Sequence, residues 1–398
     1  MLSGCLMGGM LLASCGGSQP KGNEQCAQGE CEQVKVAFEA TIDVKQTIND
    51  VDTVFQKKTE IKCLKNSKGT KVAITNFGGR IQSIKITDKN GVEQDVVLGF
   101  DNVSDYNTIP SDFGAAIGRY ANRLNKGKIT IDGNEIQLPQ NNFGHCLHGG
   151  PRGWQYMVYD FVECSDNSVT LQYNSLDGEM GFPGNVVAKV KYTLDEDNAI
   201  SIDYTATTDK ETVINMTNHS YFNLNGDPNT EIINHHLYIN ADNYTPVDST
   251  YMPYGDIVTV ENTPFDCRNM AEIGNRVNMQ AENEQIKFGN GFDHNWCLNT
   301  YKDGQGDVNT IAASIYSPVT GIQMDVYTNE PGIQVYSGNF LDGTVKGKKG
   351  IVYNQHAGIC LETQKYPNTP NVAEWPSANL KPGETYHSFC KFAFSVKE

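Results

Sequence analysis

Basic residues are in short supply. Lysine and arginine number 31 against 47 aspartates and glutamates, and the 398-residue chain carries a net charge of -16. Its one short basic cluster is Lys346, Lys348 and Lys349. That argues against a nucleic-acid partner, because nothing would neutralise the phosphates; the acidity reads as solubility. No apolar run is long enough to span a bilayer as a helix. CxxC and paired Cys/His zinc spacings are absent, and the 11 cysteines are odd in number and irregularly spaced, which argues against a disulfide framework. Cys146, Cys164, Cys297 and Cys360 sit in apolar or strand-like contexts and read as buried thiols. Helical periodicity is scarce, with Met270 to Met279 and Val103 to Thr108 the only candidates. Without strand–helix alternation a parallel α/β sheet is disfavoured, and without a fixed repeat so is a propeller.

What is present is period-two alternation broken by polar turns. Ile84 and Ile86 lead to Asp88-Lys89-Asn90-Gly91 and then Val96-Val97-Leu98. Ile129 and Ile131 lead through Asp132-Gly133-Asn134 to Ile136 and Leu138. Val186 to Leu194 is a long strand, and Ile200, Ile202, Tyr204 and Ala206 line one face of the next. Ile322, Met324 and Val326 alternate before a turn into Ile333 and Val335. This pattern predicts antiparallel sheets. No break in composition divides the chain after residue 53, so the expectation is one large all-β sandwich over 53–398.

The first residues differ. Leu11-Leu12-Ala13-Ser14-Cys15 follows a short apolar stretch that lacks Lys or Arg, and a polar tether follows. Residues 1–15 resemble a lipoprotein signal peptide, with Cys15 as the lipid anchor and the only membrane attachment expected. Residues 16–52 read as linker. The location this implies is the bacterial cell envelope; the alternative is cytoplasmic. Cys26 and Cys31 flank a short loop and could pair after export.

The chemistry concentrates in polar clusters between strands. In Thr217–Gly226, TNHSYFNLNG, His219 sits among Asn218, Ser220, Tyr221 and Asn223. Glu362, in LETQ, reads as the end of a buried strand, where desolvation raises a carboxyl pKa. A raised Glu and a His both titrate near neutral pH, as general acid–base catalysis wants. Taken singly, a structural histidine and an arginine-paired glutamate are the alternatives. Asn122 and Arg123 lie in GRYANR, where Arg offers a fork of donors. His145 and His148 form HxxH, but residues three apart point to opposite sides of an extended chain, which disfavours a metal pair. Gly149 and Gly150 would allow backbone to approach a ligand. Asp293 sits between aromatics, as a sugar ligand or as an Asx-turn. Gln334 points into a cleft or into solvent.

Together GRYANR, LHGG, DGEMGFPG, TNHSYFNLNG, GFDHN, TNEPGIQVYSGNFLDG and LETQKYPNTPN resemble the aldose 1-epimerase (galactose mutarotase) family, in that family's order and over roughly residues 53–396. The resemblance implies a β-supersandwich with an open sugar cleft and exchange of the α and β anomers of free aldoses such as galactose and glucose. It also implies Glu362 as base, His219 as acid, and Asn122, Arg123, His148, Tyr221, Asp293 and Gln334 as the substrate-binding set. The mechanism requires no cofactor; Ca²⁺ at Asp177 to Glu179 is a minor expectation without EF-hand spacing. A monomer is expected. The competing readings are a hexose-6-phosphate epimerase, a sugar-binding protein without activity, and a glycoside hydrolase using Glu362 with Asp293.

Overall fold

The computed structural model describes residues 34–398. Cys15, the leader and the Cys26–Cys31 pair lie outside the described residues.

The alternation read from the sequence becomes strands whose inward side chains are buried. Val186–Leu194 hides Val186, Ala188, Val190, Tyr192 and Leu194 and exposes Val187, Lys189 and Lys191. It pairs antiparallel with Ala199–Thr208, placing Val190 opposite Tyr204 and Tyr192 opposite Ile202. Each large apolar side chain buried this way contributes ~1.5–3 kcal/mol. These two strands sit inside a nine-stranded sheet that also holds Ser168–Ser175, Tyr386–Val396 and Ile322–Thr328. A four-stranded sheet contains Lys71–Thr75 and Arg80–Thr87. A five-stranded sheet contains Asp293–Cys297, Gly332–Tyr336 and Cys360–Gln364 side by side. All three sheets contribute to one apolar cluster that includes Val190, Ile202, Ile74, Trp296, Val335 and Leu361.

The five-stranded sheet is two-faced, and this positions the site. Its register sets Asn295 opposite Gln334 and Gln334 opposite Glu362. Period two therefore puts Asp293, Asn295, Gln334 and Glu362 on one face, with Trp296, Ile333, Val335 and Leu361 on the other. The second set fills the core, each at most 1% exposed. The first makes a buried polar face.

The expected linker ends sooner than residue 52. Ala40–Ile48 and Val51–Thr59 form a β-hairpin. Asn49 and Asp50, both at positive φ (46° and 64°), make its two-residue turn, as primed hairpin turns require. Only Val44 and Gln46 of the first strand are buried, so the alternation is faint in the sequence.

The helices differ too. Val103–Thr108 forms as expected, capped by the Asn102 side chain on Asp105 N–H. Met270 to Met279 is not one helix: Ala271–Glu272 is a strand and Gly274–Val277 a single turn. Glu284–Gly289 is an unexpected helix, capped by Asn283, whose side chain accepts from Gln285 and Ile286 N–H. Cys146, Cys297 and Cys360 are buried thiols, whereas Cys164 is exposed at the end of the edge strand Asp160–Cys164.

Candidate active site

Thr217–His219 pairs with Ala115–Ile117 on one side and runs beside Cys360–Gln364 on the other. Phe222 N–H donates to the Ile359 carbonyl at 2.7 Å, and Ile359 N–H returns the bond at 2.8 Å. Further along, the Asn215 side chain replaces a backbone partner, accepting Lys365 N–H at 2.9 Å. Stepping back from Phe222 and forward from Ile359 by equal amounts places His219 opposite Glu362. Their side chains meet with Nε2 3.6 Å from Oε1.

Both groups are buried, Glu362 at 2% and His219 at 5% exposure. Burial pushes the Glu362 carboxyl well above the usual carboxylate range; Asp293 and Asp112 add to this and Arg123 opposes it. Burial also lowers His219 below the ordinary imidazole value, against the pull of Asp112. Both shifts favour the uncharged forms, so the 3.6 Å contact is not a fixed salt bridge. Glu362 Oε2 and His219 Nδ1 are buried without a protein hydrogen-bond partner. Such atoms are uncommon in folded chains and point toward a ligand.

The pair opens on a cavity of about 160 Å³ lined by Asp112, Asn122, Arg123, Asn142, Leu147, His148, His219, Tyr221, Asp293, Tyr336, Phe340 and Glu362. Arg123–Leu124 pairs with Cys146–Leu147, bringing Asn122 beside His148. Both hold the left-handed conformation, at φ 65° and 51°. Asn122 N–H donates to His148 Nδ1 at 3.1 Å. Burial, His219 and Arg123 hold His148 well below its usual value, so it is neutral; with Nδ1 accepting, its proton is on Nε2. Arg123 is fixed by Asn142 Oδ1 at 3.0 Å, by Asp293 at 3.7 Å, and by the Tyr251 ring 5.1 Å away. Tyr221 stacks on His219 with centroids 5.1 Å apart.

The aldose 1-epimerase family profile matches residues 60–393. The chain belongs to the aldose 1-epimerase family. It is 42% identical to the galactose mutarotase of Sus scrofa over 326 residues, covering 82% of this chain and 91% of that one. It is 37% identical to the aldose 1-epimerase of Escherichia coli K12 over 333 residues, 83% and 94% of the two chains. Among solved structures, an aldose epimerase homologue from C. elegans aligns with a TM-score of 0.78 at 29% identity, covering 85% of this chain and 100% of that one. Galactose 1-epimerase from Lactobacillus acidophilus aligns at 0.73 and 28%, covering 90% and 100%. The fold is the large antiparallel sandwich of this aldose 1-epimerase family.

Of the sequence-predicted residues, His219, Glu362, Asn122, Arg123, His148, Tyr221 and Asp293 converge on the cavity. Asp293 lies in a strand, not an Asx-turn. Gln334 stands behind the lining, donating to Asp293 Oδ1 at 2.7 Å. His145 turns away: its Nδ1 accepts Lys126 N–H and its Nε2 meets Thr250. The glycines after His148 approach the protein's own chain. A Cβ at Gly149 would lie 2.3 Å from the Gly118 carbonyl oxygen, and one at Gly150 3.2 Å from Met180 Sδ. Arg119 is structural, donating to Pro183 O and Ser175 Oγ. The expected Ca²⁺ ligands part company. Asp177 pairs with Lys210 on the surface, while Glu179 turns inward to Tyr173, Ser175 and Gln46. Sequence reasoning missed Asp112, Asn142 and Phe340. Asp112, His148 and His219 offer donor atoms within 4.8 Å of one another, as do His219, Cys360 and Glu362; these are the groups a cation could use.

Proposed function

We propose that this chain interconverts the α and β anomers of a free aldohexose such as galactose or glucose, with Glu362 as base and His219 as acid. The observation that carries the proposal is the facing pair, 3.6 Å apart and buried, opening on a cleft of hydroxyl-binding side chains. Family membership supports it.

Glu362 removes the proton of the C1 hydroxyl while His219 delivers its proton to the ring oxygen. The C1–O5 bond breaks and the C1 carbonyl forms. The aldehyde turns about C1–C2, the carbonyl presents its other face to the O5 hydroxyl, and the transfers run in reverse. The pair holds one proton throughout. It begins as carboxylate and imidazolium and passes through carboxylic acid and imidazole. Burial favours the second form, while Arg123 beside Glu362 and Asp112 beside His219 favour the first. Each member of such a pair typically contributes ~10²–10⁴-fold. Arg123, the Nε2–H of His148, Asn122, Tyr221 and Asp293 hold the hydroxyls, with Gln334 bracing Asp293, so C1 and O5 stay in register with the pair.

Polarimetry on freshly dissolved α-galactose tests the reading: purified protein should hasten the drift to equilibrium rotation. No acceleration with galactose, glucose or another aldose would sink it. For location we keep the lipid anchor at Cys15 as a proposal. Labelled fatty acid should enter the native protein and not Cys15→Ser; equal label in both would refute it.

A further inference from the structure

We propose that Asp112 is a third acidic residue of this cleft, a positioning residue whose carboxylate, set beside His148 and His219, holds on His219 the proton destined for the ring oxygen. The inference rests on the anomer-exchange reading.

Three observations carry it. Asp112 lines the cavity, and a carboxylate oxygen lies within 4.8 Å of a ring nitrogen of both His148 and His219. Its Oδ1 is buried and has no protein hydrogen-bond partner. The backbone on either side is clamped. Arg80, fully buried, donates to the Ser111 carbonyl at 3.1 Å and the Phe113 carbonyl at 2.8 Å, gripping the residues that flank Asp112. Gly114 N–H donates to the His219 carbonyl at 3.0 Å, and the Asn218 side chain donates to the Gly114 carbonyl at 2.9 Å. Gly114 turns there at φ 71°, where a Cβ would lie 2.0 Å from the Ile81 carbonyl oxygen. The segment carrying Asp112 is thus stitched to the segment carrying His219. A carboxylate on a backbone so held, with one buried oxygen unbonded, has two uses, a substrate hydroxyl or a neighbouring cation.

The charges around His219 favour the cation. Glu362 faces it from Cys360–Gln364, His148 and Arg123 from the paired ribbon, Asp293 from its own strand, and Tyr221 from the same segment. Arg80 stands behind Asp112 and opposes protonation of His219. Glu362 exchanges the single proton of the pair with His219 and so is not a fixed anion beside it. Asp112 and Asp293 both favour imidazolium, Asp112 the more strongly; Asp293 is tied to Arg123 at 3.7 Å and to Gln334 at 2.7 Å, which leaves Asp112 as the carboxylate without such partners.

The test is Asp112→Asn, which removes the charge and keeps the shape. The pair should give a bell-shaped pH profile of kcat/KM, falling at low pH when it gains a second proton and at high pH when it loses its only one. Removing a negative charge disfavours both protonations, so both limbs should move to lower pH, by about one unit. The rate constant kcat on galactose should fall about tenfold with KM held within about twofold. Without substrate, NMR of histidine-labelled protein should show His219, assigned by its loss in His219→Asn, titrating lower in the variant. Asp112→Ser carries the same expectation should the amide fold poorly. An unmoved His219 titration, or a raised KM with kcat and limbs unchanged, overturns the proposal; the second outcome would make Asp112 a hydroxyl ligand. A wild type without turnover counts against the anomer reading, while the NMR titration still decides the role of Asp112.

Discussion

Glu179 and Glu362 are both buried carboxyl groups, at 3% and 2% exposure, with opposite hydrogen bonding. Around Glu179 every oxygen is answered. Gln46 Nε2 donates at 2.8 Å, and the Tyr173 and Ser175 hydroxyls donate as well. Arg119 stands one step beyond, bonded to Ser175. Around Glu362 one oxygen has no protein partner and the other faces His219 across 3.6 Å, longer than a hydrogen bond. Burial penalises a polar group unless it is bonded, so the first arrangement stabilises the fold and the second costs stability. Glu179 ties the N-terminal hairpin, through Gln46, to the DGEMGFPG loop. Glu362 is left able to exchange a proton with a bound molecule.

The comparison can be broken at several points. The largest effect belongs to His219→Asn: kcat for anomer exchange should fall ~10²–10⁴-fold with little change in KM, measured by polarimetry. Next is Glu179→Gln, which should lower unfolding stability by about 1–3 kcal/mol in urea, because an amide cannot accept from all three donors. A smaller effect of opposite sign is expected for Glu362→Gln. Unfolded Glu362 ionises above its ordinary value of 4.5, whereas the folded group keeps its proton to higher pH. The folded pKa is raised, so its contribution is fully present below the unfolded value and is lost as pH rises through the folded one. The glutamine variant should therefore melt progressively higher than wild type as pH rises above the ordinary carboxyl value of 4.5. Equal melting across that range would mean the carboxyl is not held in its acid form. Smallest is Gln46→Ala, costing about 1 kcal/mol and raising protease sensitivity ahead of residue 60 while leaving anomer exchange intact.

The strands were legible wherever one face is apolar, as Val186–Leu194 shows residue for residue. The hairpin Ala40–Ile48 and Val51–Thr59 was not, because only two of its first nine residues are buried and composition outweighed pattern. His219 and Glu362 stood out because each occupies a polar motif bounded by apolar strand residues. Their facing could be known only once the Phe222–Ile359 bridge set the register. Asp112 was invisible, since an aspartate before Phe-Gly reads as a turn residue. The backbone on either side of it is held by Arg80, more than thirty residues upstream. Gln334 and Gly149 were noticed, but their contacts within the protein could not be read. Gln334 acts through Asp293, and Gly149 makes room for Gly118 rather than for a ligand.

The central claim is that the buried carboxyl group with one oxygen unbonded and the other facing His219 does the chemistry, and the fully hydrogen-bonded one does not. Polarimetry of fresh α-galactose at neutral pH, with Glu362→Gln and Glu179→Gln measured beside the wild type, tests it most directly. The account predicts that Glu362→Gln loses at least about a hundredfold in kcat while Glu179→Gln stays close to wild type. A Glu362→Gln protein that equilibrates the anomers as fast as wild type, or an equal loss in both variants, would contradict it.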